Sequence, residues 1–275
     1  MTQSPFLIVG ATGKTGSRVA DRLEAQGHAV RRASRQSERP FDWDAPESWP
    51  AVLDGVQSAY VTYFPDLAFP GAVDALGAFC ETATDAGLEH LVLLSGRGEH
   101  HAREGERIVQ AGAFDHTVVR SAWFAQNFSE GYLRDPVLAG VLPMPGGAVV
   151  EPIIDIDDIA DVVVAALTDD RHRGALYEVT GPRLMSFADM AASLSAATGR
   201  GVRHVPIAFS EFYANLLATG GPLVADVFTA IARETLDGRN AQLADGVQRA
   251  LGRAPRDFDA FAARAAAAGA WSQAA

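Results

Sequence analysis

Short apolar, β-branched runs alternate along the first two thirds of the chain with stretches whose apolar positions recur at helical spacing, the pattern of strands joined by helices. Residues 6–9, 29–33, 58–63, 90–95 and 116–120 read as strands, and residues 17–26, 49–53, 72–86 and 103–110 as the helices between them. Two further strand-like runs, 149–156 and 175–180, flank a helix over 159–167. Such alternation predicts a parallel sheet covered on both faces, a doubly wound α/β fold. Beyond Gly181-Pro182 the pattern is helical and alanine-rich, over 187–198, 210–217, 223–236 and 257–268. That predicts a smaller, mostly helical part beside the carboxyl ends of the strands, where open α/β sheets bind ligands.

The first strand runs straight into Gly10-Ala11-Thr12-Gly13-Lys14-Thr15-Gly16 and then into a helix. Each glycine has its own duty in such a turn. Gly10 takes the chain sharply out of the strand, Gly13 keeps side chains away so that backbone N–H groups approach a phosphate, and Gly16 lets the helix pack close to the sheet. Anion affinity comes from the helix N-terminus, where unpaired N–H groups and the macrodipole both favour negative charge. The turn, with Thr12, Lys14 and Thr15 beside the pyrophosphate, predicts an NAD(P)-binding Rossmann domain over 1–182 and a helical substrate-binding subdomain over 183–275. Gly13-Lys14-Thr15 also echoes a nucleoside triphosphatase loop. That loop needs a glycine five residues before the Gly-Lys pair, and Ile8 stands there.

A length of 275 residues is long for one compact domain and short for two large ones, which suits a nucleotide domain with an appendage. The formal net charge of -11 argues against a nucleic-acid surface or an anionic membrane as partner, so any phosphate site must be local. The single cysteine, Cys80, excludes an intrachain disulfide and a cysteine-rich zinc site and fits a reducing compartment. Met1-Thr2-Gln3-Ser4-Pro5 lacks a basic leader and the apolar run after it is too short for a signal peptide, so a cytoplasmic location is expected. Oligomeric state is left open.

The end of the second strand separates the two nicotinamide dinucleotides, because an acid there bonds the ribose 2′-hydroxyl and repels a 2′-phosphate. No acid occurs between Gly27 and Gln36. Arg35, with Arg32 or Ser34, is placed to take a 2′-phosphate through charge-assisted hydrogen bonds, so NADP(H) is expected over NAD(H). As plain solvated arginines they would confer no such preference.

Several segments together resemble one family. They are Gly10 to Gly16, Leu94-Ser95, Gly105-Glu106-Arg107, Thr117 through Phe128, Ile154 through Ala160, and Tyr177 through Pro182. Their order over nearly the full length is similar to that of the NmrA-like group of atypical short-chain dehydrogenases. The nearest types are NAD(P)H-dependent quinone, azo-dye and triphenylmethane reductases, and the group also contains NADP-sensing regulators. The resemblance implies that Arg107 holds the nicotinamide ribose and that Thr62, Tyr63, Ser95 and Asn127 line the nicotinamide pocket.

Ordinary short-chain dehydrogenases use a Tyr and a Lys four residues later on one helix face. Here Lys14 is the only lysine, and the matching helix carries Arg103 and Arg107, which cannot give up a proton. Hydride transfer to a planar electrophile, whether a quinone, an iminium, a conjugated carbonyl or a secondary-metabolite intermediate, can proceed without that pair, with water protonating the product. Asn127, Tyr63 and Ser95 are the candidate catalytic side chains, and Tyr63, Phe64, Phe69, Trp123, Phe124 and Asn127 the expected substrate pocket. A non-enzymatic NADP-sensing regulator is the competing reading, distinguished by a collapsed or water-filled cleft.

Other constellations point elsewhere. Glu99-His100-His101 lacks metal-ligand spacing, so no metal is expected. Asp158 reads as a helix N-cap within the acidic run Asp155, Asp157, Asp158 and Asp161. Leu93 stands where a nucleophile elbow ending in Ser95 would need glycine, which excludes serine hydrolase chemistry.

Overall fold

The computed structural model describes residues 4–272; Met1 to Gln3, part of the stretch read for a leader, lie outside them. In chain order the strands are β1 (Phe6–Val9), β2 (Val30–Ala33), β3 (Ser58–Val61), β4 (His90–Gly96), β5 (Asp115–Ser121), β6 (Val141–Met144), β7 (Val150–Glu151), β8 (Leu176–Val179), β9 (Met185–Ser186) and β10 (Arg203–Pro206). The helices are α1 (Lys14–Ala25), α2 (Trp49–Leu53), α3 (Ala72–Asp85), α4 (His100–Ala111), α5 (Arg134–Ala139), α6 (Ile156–Thr168), α7 (Phe187–Thr198), α8 (Phe209–Thr235), α9 (Gly246–Leu251) and α10 (Phe258–Ala267).

Six strands form one parallel sheet in the order β2-β1-β3-β4-β5-β8. The order reverses at β1, where Phe6 pairs with Val30 on one side and Ser58 on the other. Connections leaving β1 and β3 therefore part in opposite directions, which opens a crevice at their carboxyl ends.

Alternate residues of each strand serve two apolar layers. Ile8, Tyr60, Val92 and Val119 join Val19 of α1, Ile159 of α6 and Val247 of α9 on one face. Leu7, Val9, Leu91 and Leu93 join Val52 of α2, Phe79 of α3 and Val109 of α4 on the other. Both faces are dry, which explains why β1 and β4 read as apolar runs rather than alternating ones.

A third apolar cluster builds the smaller lobe. It unites Phe128, Val137, Leu142 and Ile153 with Met190, Phe212, Phe258 and Trp271. The lobe thus takes residues from before Gly181 as well as after it, and α9 returns to the sheet to pack on α6 and β8. Two small sheets, parallel β6-β10 and antiparallel β7-β9, brace it.

Several boundaries differ from expectation for local reasons. α1 begins at Lys14 rather than 17, because Gly13 holds the extended cap conformation directly before it. The run 149–156 is extended strand only at Val150–Glu151. Asp155 accepts a hydrogen bond from the Asp157 N–H and starts α6 at Ile156, so the cap sits three residues before Asp158. Asp158 is fully buried instead and pairs with Arg253 and Arg256. The helices expected over 210–217 and 223–236 are the two arms of α8, broken at Gly221 (φ 78°, ψ 177°) before Pro222. Among the described residues α8 is the one helix long and apolar enough to cross a membrane, and that break lies in mid-course.

Candidate cofactor and substrate site

The glycine turn lies at the crevice. Gly10 has φ 77°, and a Cβ there would lie 2.6 Å from Thr62 Cγ2, so the ends of β1 and β3 touch only because this residue has no side chain. The Gly13 N–H donates to the Gly10 carbonyl at 2.9 Å and closes the turn. A Cβ on Gly16 would run into that same carbonyl, which explains the close seat of α1. Gly13 differs: a Cβ there meets only the Gly10 carbonyl, at 3.2 Å, and its other side is open. No acid occupies the first turn of α1. A bare backbone cradle at a helix N-terminus fits the pyrophosphate of a dinucleotide.

Of the side chains expected around the cradle, Lys14 and Asn127 are brought together. The Lys14 Nζ donates to Asn127 Oδ1 at 2.8 Å, tying the turn after β1 to the 3-10 turn Ala125–Phe128 after β5. Burial lowers the Lys14 pKa; Glu130 opposes that shift and Arg18 adds to it. Buried Gln126 fixes the second turn, donating to Asp155 at 2.7 Å and accepting from the Ile156 N–H at 2.9 Å. Thr15 turns inward, where its hydroxyl accepts from the Tyr60 hydroxyl at 2.9 Å.

The structure spreads the remaining candidates over several surfaces. Arg32 is held by Asp21 at 2.6 Å and Glu24 at 2.8 Å, whereas Arg35 is exposed and has no ion pair among the described residues. The Ser34 hydroxyl accepts from the Gln36 N–H at 3.3 Å. Ser95 is buried against α4 and donates to Glu106 at 2.6 Å. Tyr63 leans on Trp43, ring centroids 4.7 Å apart, and Phe64 is 72% exposed. Phe69 meets Phe228 of α8 edge to face at 5.8 Å, and Trp123 donates to Thr235 of α8 at 3.2 Å. Phe124 bridges to Ile154. Arg107 is exposed on α4.

Sequence reasoning missed a polar cleft of about 280 Å³ between the end of β4 and the end of α8, lined by Arg97, Glu99, Arg103, Glu234 and Asn240 among others. Its floor is a chain of ion pairs: Arg97 holds Glu178 at 2.5 Å, and Arg120 links Glu178 at 3.3 Å to Glu106 at 2.5 Å. His100 and His101 both lie against Glu104, at 3.2 and 3.1 Å. Only the local run Arg97-Gly98-Glu99 marks the cleft in the sequence, since Glu234 and Asn240 arrive from far along the chain.

Glu151 on β7 was equally hidden. Its side chain is 1% exposed and neither carboxyl oxygen has a hydrogen-bond partner among the described residues. Burial pushes its pKa up to about 7; Arg97 opposes this and Asp237 adds to it. The folded carboxyl binds its proton more tightly than the unfolded one, so stability is lost as pH rises from the ordinary carboxylate range through about 7. Glu151→Gln is therefore expected to stabilise the protein at pH 8 by roughly 2–3 kcal/mol more than at pH 4.5, read by urea unfolding at both values. An equal effect at both would show that the group carries no raised pKa.

The parallel sheet, the reversal at β1 and the bare turn define a doubly wound protein of the dinucleotide-binding class. No family model matches the chain. It is 33% identical to the uncharacterized oxidoreductase YesF of Bacillus subtilis over 279 residues, covering 97% of each chain. It is 31% identical to the NAD(P)H azoreductase of Xenophilus azovorans over 288 residues, covering 96% of this chain and 99% of that one. The structure of a Citrobacter triphenylmethane reductase complexed with NADP(H) superimposes with a TM-score of 0.75 at 20% identity, covering 95% of this chain and 99% of that one. The chain belongs to the NmrA-like family of atypical short-chain dehydrogenases and is an oxidoreductase of that type.

Proposed function

We propose that this protein is an NADPH-dependent reductase of planar electrophiles: quinones, azo or iminium dyes, or conjugated carbonyls. The observation that carries the reading is the open Gly13 cradle at the reversal of the sheet, joined through Lys14 and Asn127 to the turn after β5. The azoreductase and the triphenylmethane reductase are named for azo and triphenylmethane acceptors, conjugated electrophiles that support the acceptor class.

In this reading Gly10 to Gly16 hold the pyrophosphate and Arg35 the 2′-phosphate, with Thr62 and Asn127 beside the nicotinamide. The cofactor supplies the hydride. Phe69 and Trp123, fixed against α8, wall the acceptor side and exclude water. Residues 183–275 form the substrate-binding part together with the 125–153 segment. We place the protein in the cytoplasm, whose reducing conditions suit a single cysteine, and take neither nucleic acid nor an anionic membrane as partner on its charge of -11.

The test is NADPH absorbance followed against a panel of quinones, cationic dyes and enones. Turnover with at least one class is expected; NADPH binding without turnover of any would support a sensor instead. Cofactor choice is tested separately. Arg35→Ala should erase most of the preference for NADPH over NADH, since a charge-assisted hydrogen bond contributes about 1.5–3 kcal/mol. Equal dissociation constants for the two cofactors in the parent would contradict the assignment.

A further inference from the structure

We propose that Glu99 is the proton donor of the reaction, a carboxylic acid at the carboxyl edge of the sheet that protonates the acceptor as hydride arrives. This rests on the reductase reading and replaces bulk water as the proton source.

The geometry is specific. Gly96 ends β4, and Glu99 folds back so that its carboxyl occupies the space a Gly96 side chain would fill. The carboxyl therefore sits over the end of a central strand, on the edge of the sheet that carries the glycine turn, and lines the cleft beneath α8. It has no hydrogen-bond or ion-pair partner among the described residues. Of the cleft arginines, Arg97 pairs with Glu178, Arg120 with Glu106 and Glu178, and Arg239 with Glu234 and Asp237, whereas Arg103 is exposed and has no ion pair among the described residues. Arg103 and His100 of α4 line the cleft as well.

The charges that act on Glu99 are those of Asp66, from the loop after β3, and Glu234 of α8. Burial, with a smaller push from those two carboxylates, raises the Glu99 pKa to about 8. Asp66 is raised too, by burial, with the Ala68 N–H and His101 opposing. A neutral acid is thus held at physiological pH with an unspent proton, in a cleft it shares with exposed His100.

A quinone or an azo dye takes up both a hydride and a proton. The hydride pair enters one end of the conjugated system, the Glu99 O–H bond breaks, and a new O–H or N–H bond forms at the other end. Oxidised cofactor, the two-electron-reduced product and the Glu99 carboxylate remain, and water restores the proton. A triarylmethyl cation differs in one respect: hydride alone neutralises it, and no proton is needed.

That difference supplies the experiment. Parent and Glu99→Gln are assayed with NADPH against a quinone and a triarylmethyl dye across pH 6–9, and the carboxyl is titrated in ¹³C-glutamate-labelled protein without cofactor. Glutamine keeps the shape and removes only the acid. The expected result is a quinone-to-dye turnover ratio lowered about a hundredfold, the usual worth of a positioned acid. The parent's alkaline limb near pH 8 should vanish with quinone, along with one high-pKa carboxyl resonance. Glu99→Asp should retain the limb at a lower rate. Quinone and dye turnover falling together in Glu99→Gln, or a Glu99 resonance titrating at the ordinary value, would overturn the donor alone. A parent that reduces neither of these acceptors nor any enone would overturn the reductase reading and the donor with it.

Discussion

Gly13→Val is expected to weaken NADPH binding at least about a hundredfold, a loss of roughly 2.7 kcal/mol, while leaving the far-ultraviolet circular dichroism of the parent. In the proposed site the open side of Gly13 is the approach path of the pyrophosphate, and two γ-methyls there would cover the N–H groups at the start of α1. The substitution should leave the fold intact because Gly13 has ordinary extended backbone, and a Cβ meets only the Gly10 carbonyl at 3.2 Å. Gly16→Ala is the contrasting control, since its Cβ would strike that carbonyl and displace α1 from the sheet. Tight NADPH binding by folded Gly13→Val would put the phosphate elsewhere.

Glu106→Ala should destabilise the protein by about 3–5 kcal/mol, the usual result of removing one partner from a buried ion pair. Glu106 is 3% exposed and accepts from the Ser95 hydroxyl at 2.6 Å and from Arg120 Nε at 2.8 Å. Truncation strands the hydroxyl and leaves Arg120 with Glu178 alone, at 3.3 Å. Glu106→Gln keeps the volume and an acceptor, so its loss should be smaller. Chemical denaturation of the three proteins measures this, and a loss below about 1 kcal/mol for the alanine variant would show that Arg120 finds another partner.

The sheet was legible because its strands carry their own signal. Apolar runs at 6–9, 90–95 and 116–120 need both faces covered, and the glycine turn fixes which end of β1 meets the ligand. The start of α6 was misplaced because four carboxylates stand within seven residues and any of the first three can cap; burial of Asp158 among arginines from 253–256 decides it, and that partner is distant in sequence. α5 and α9 are six residues each, too short for a helical period to show.

For the site, local chemistry was readable and long-range chemistry was not. Lys14 was placed at the phosphate turn from spacing alone, but its bond to Asn127 spans 113 positions. Arg32 and Arg35 look alike in sequence; Asp21 and Glu24, one helix turn apart on α1, occupy the first and leave the second exposed. Ser95 and Tyr63 follow their strands' alternation onto the faces covered by α4 and by Trp43, which strand ends do not reveal. Glu99 and Glu234 of the cleft, and Asp66 whose charge acts on Glu99, come from three distant segments of the chain and converge only when α8 folds over the sheet.

The central claim is that this chain moves hydride from a bound nicotinamide to a small conjugated acceptor. Its most direct test is a reaction with NADPH carrying deuterium at both C4 positions and a triarylmethyl cation, followed by mass spectrometry of the leuco product. The account predicts one deuterium per molecule on the central carbon, formed only when the protein is present and lost in Gly13→Val. A protein that binds NADPH tightly yet yields no deuterated product with this dye or any other carbon-centred acceptor, and oxidises no NADPH with a quinone or azo dye, would contradict it.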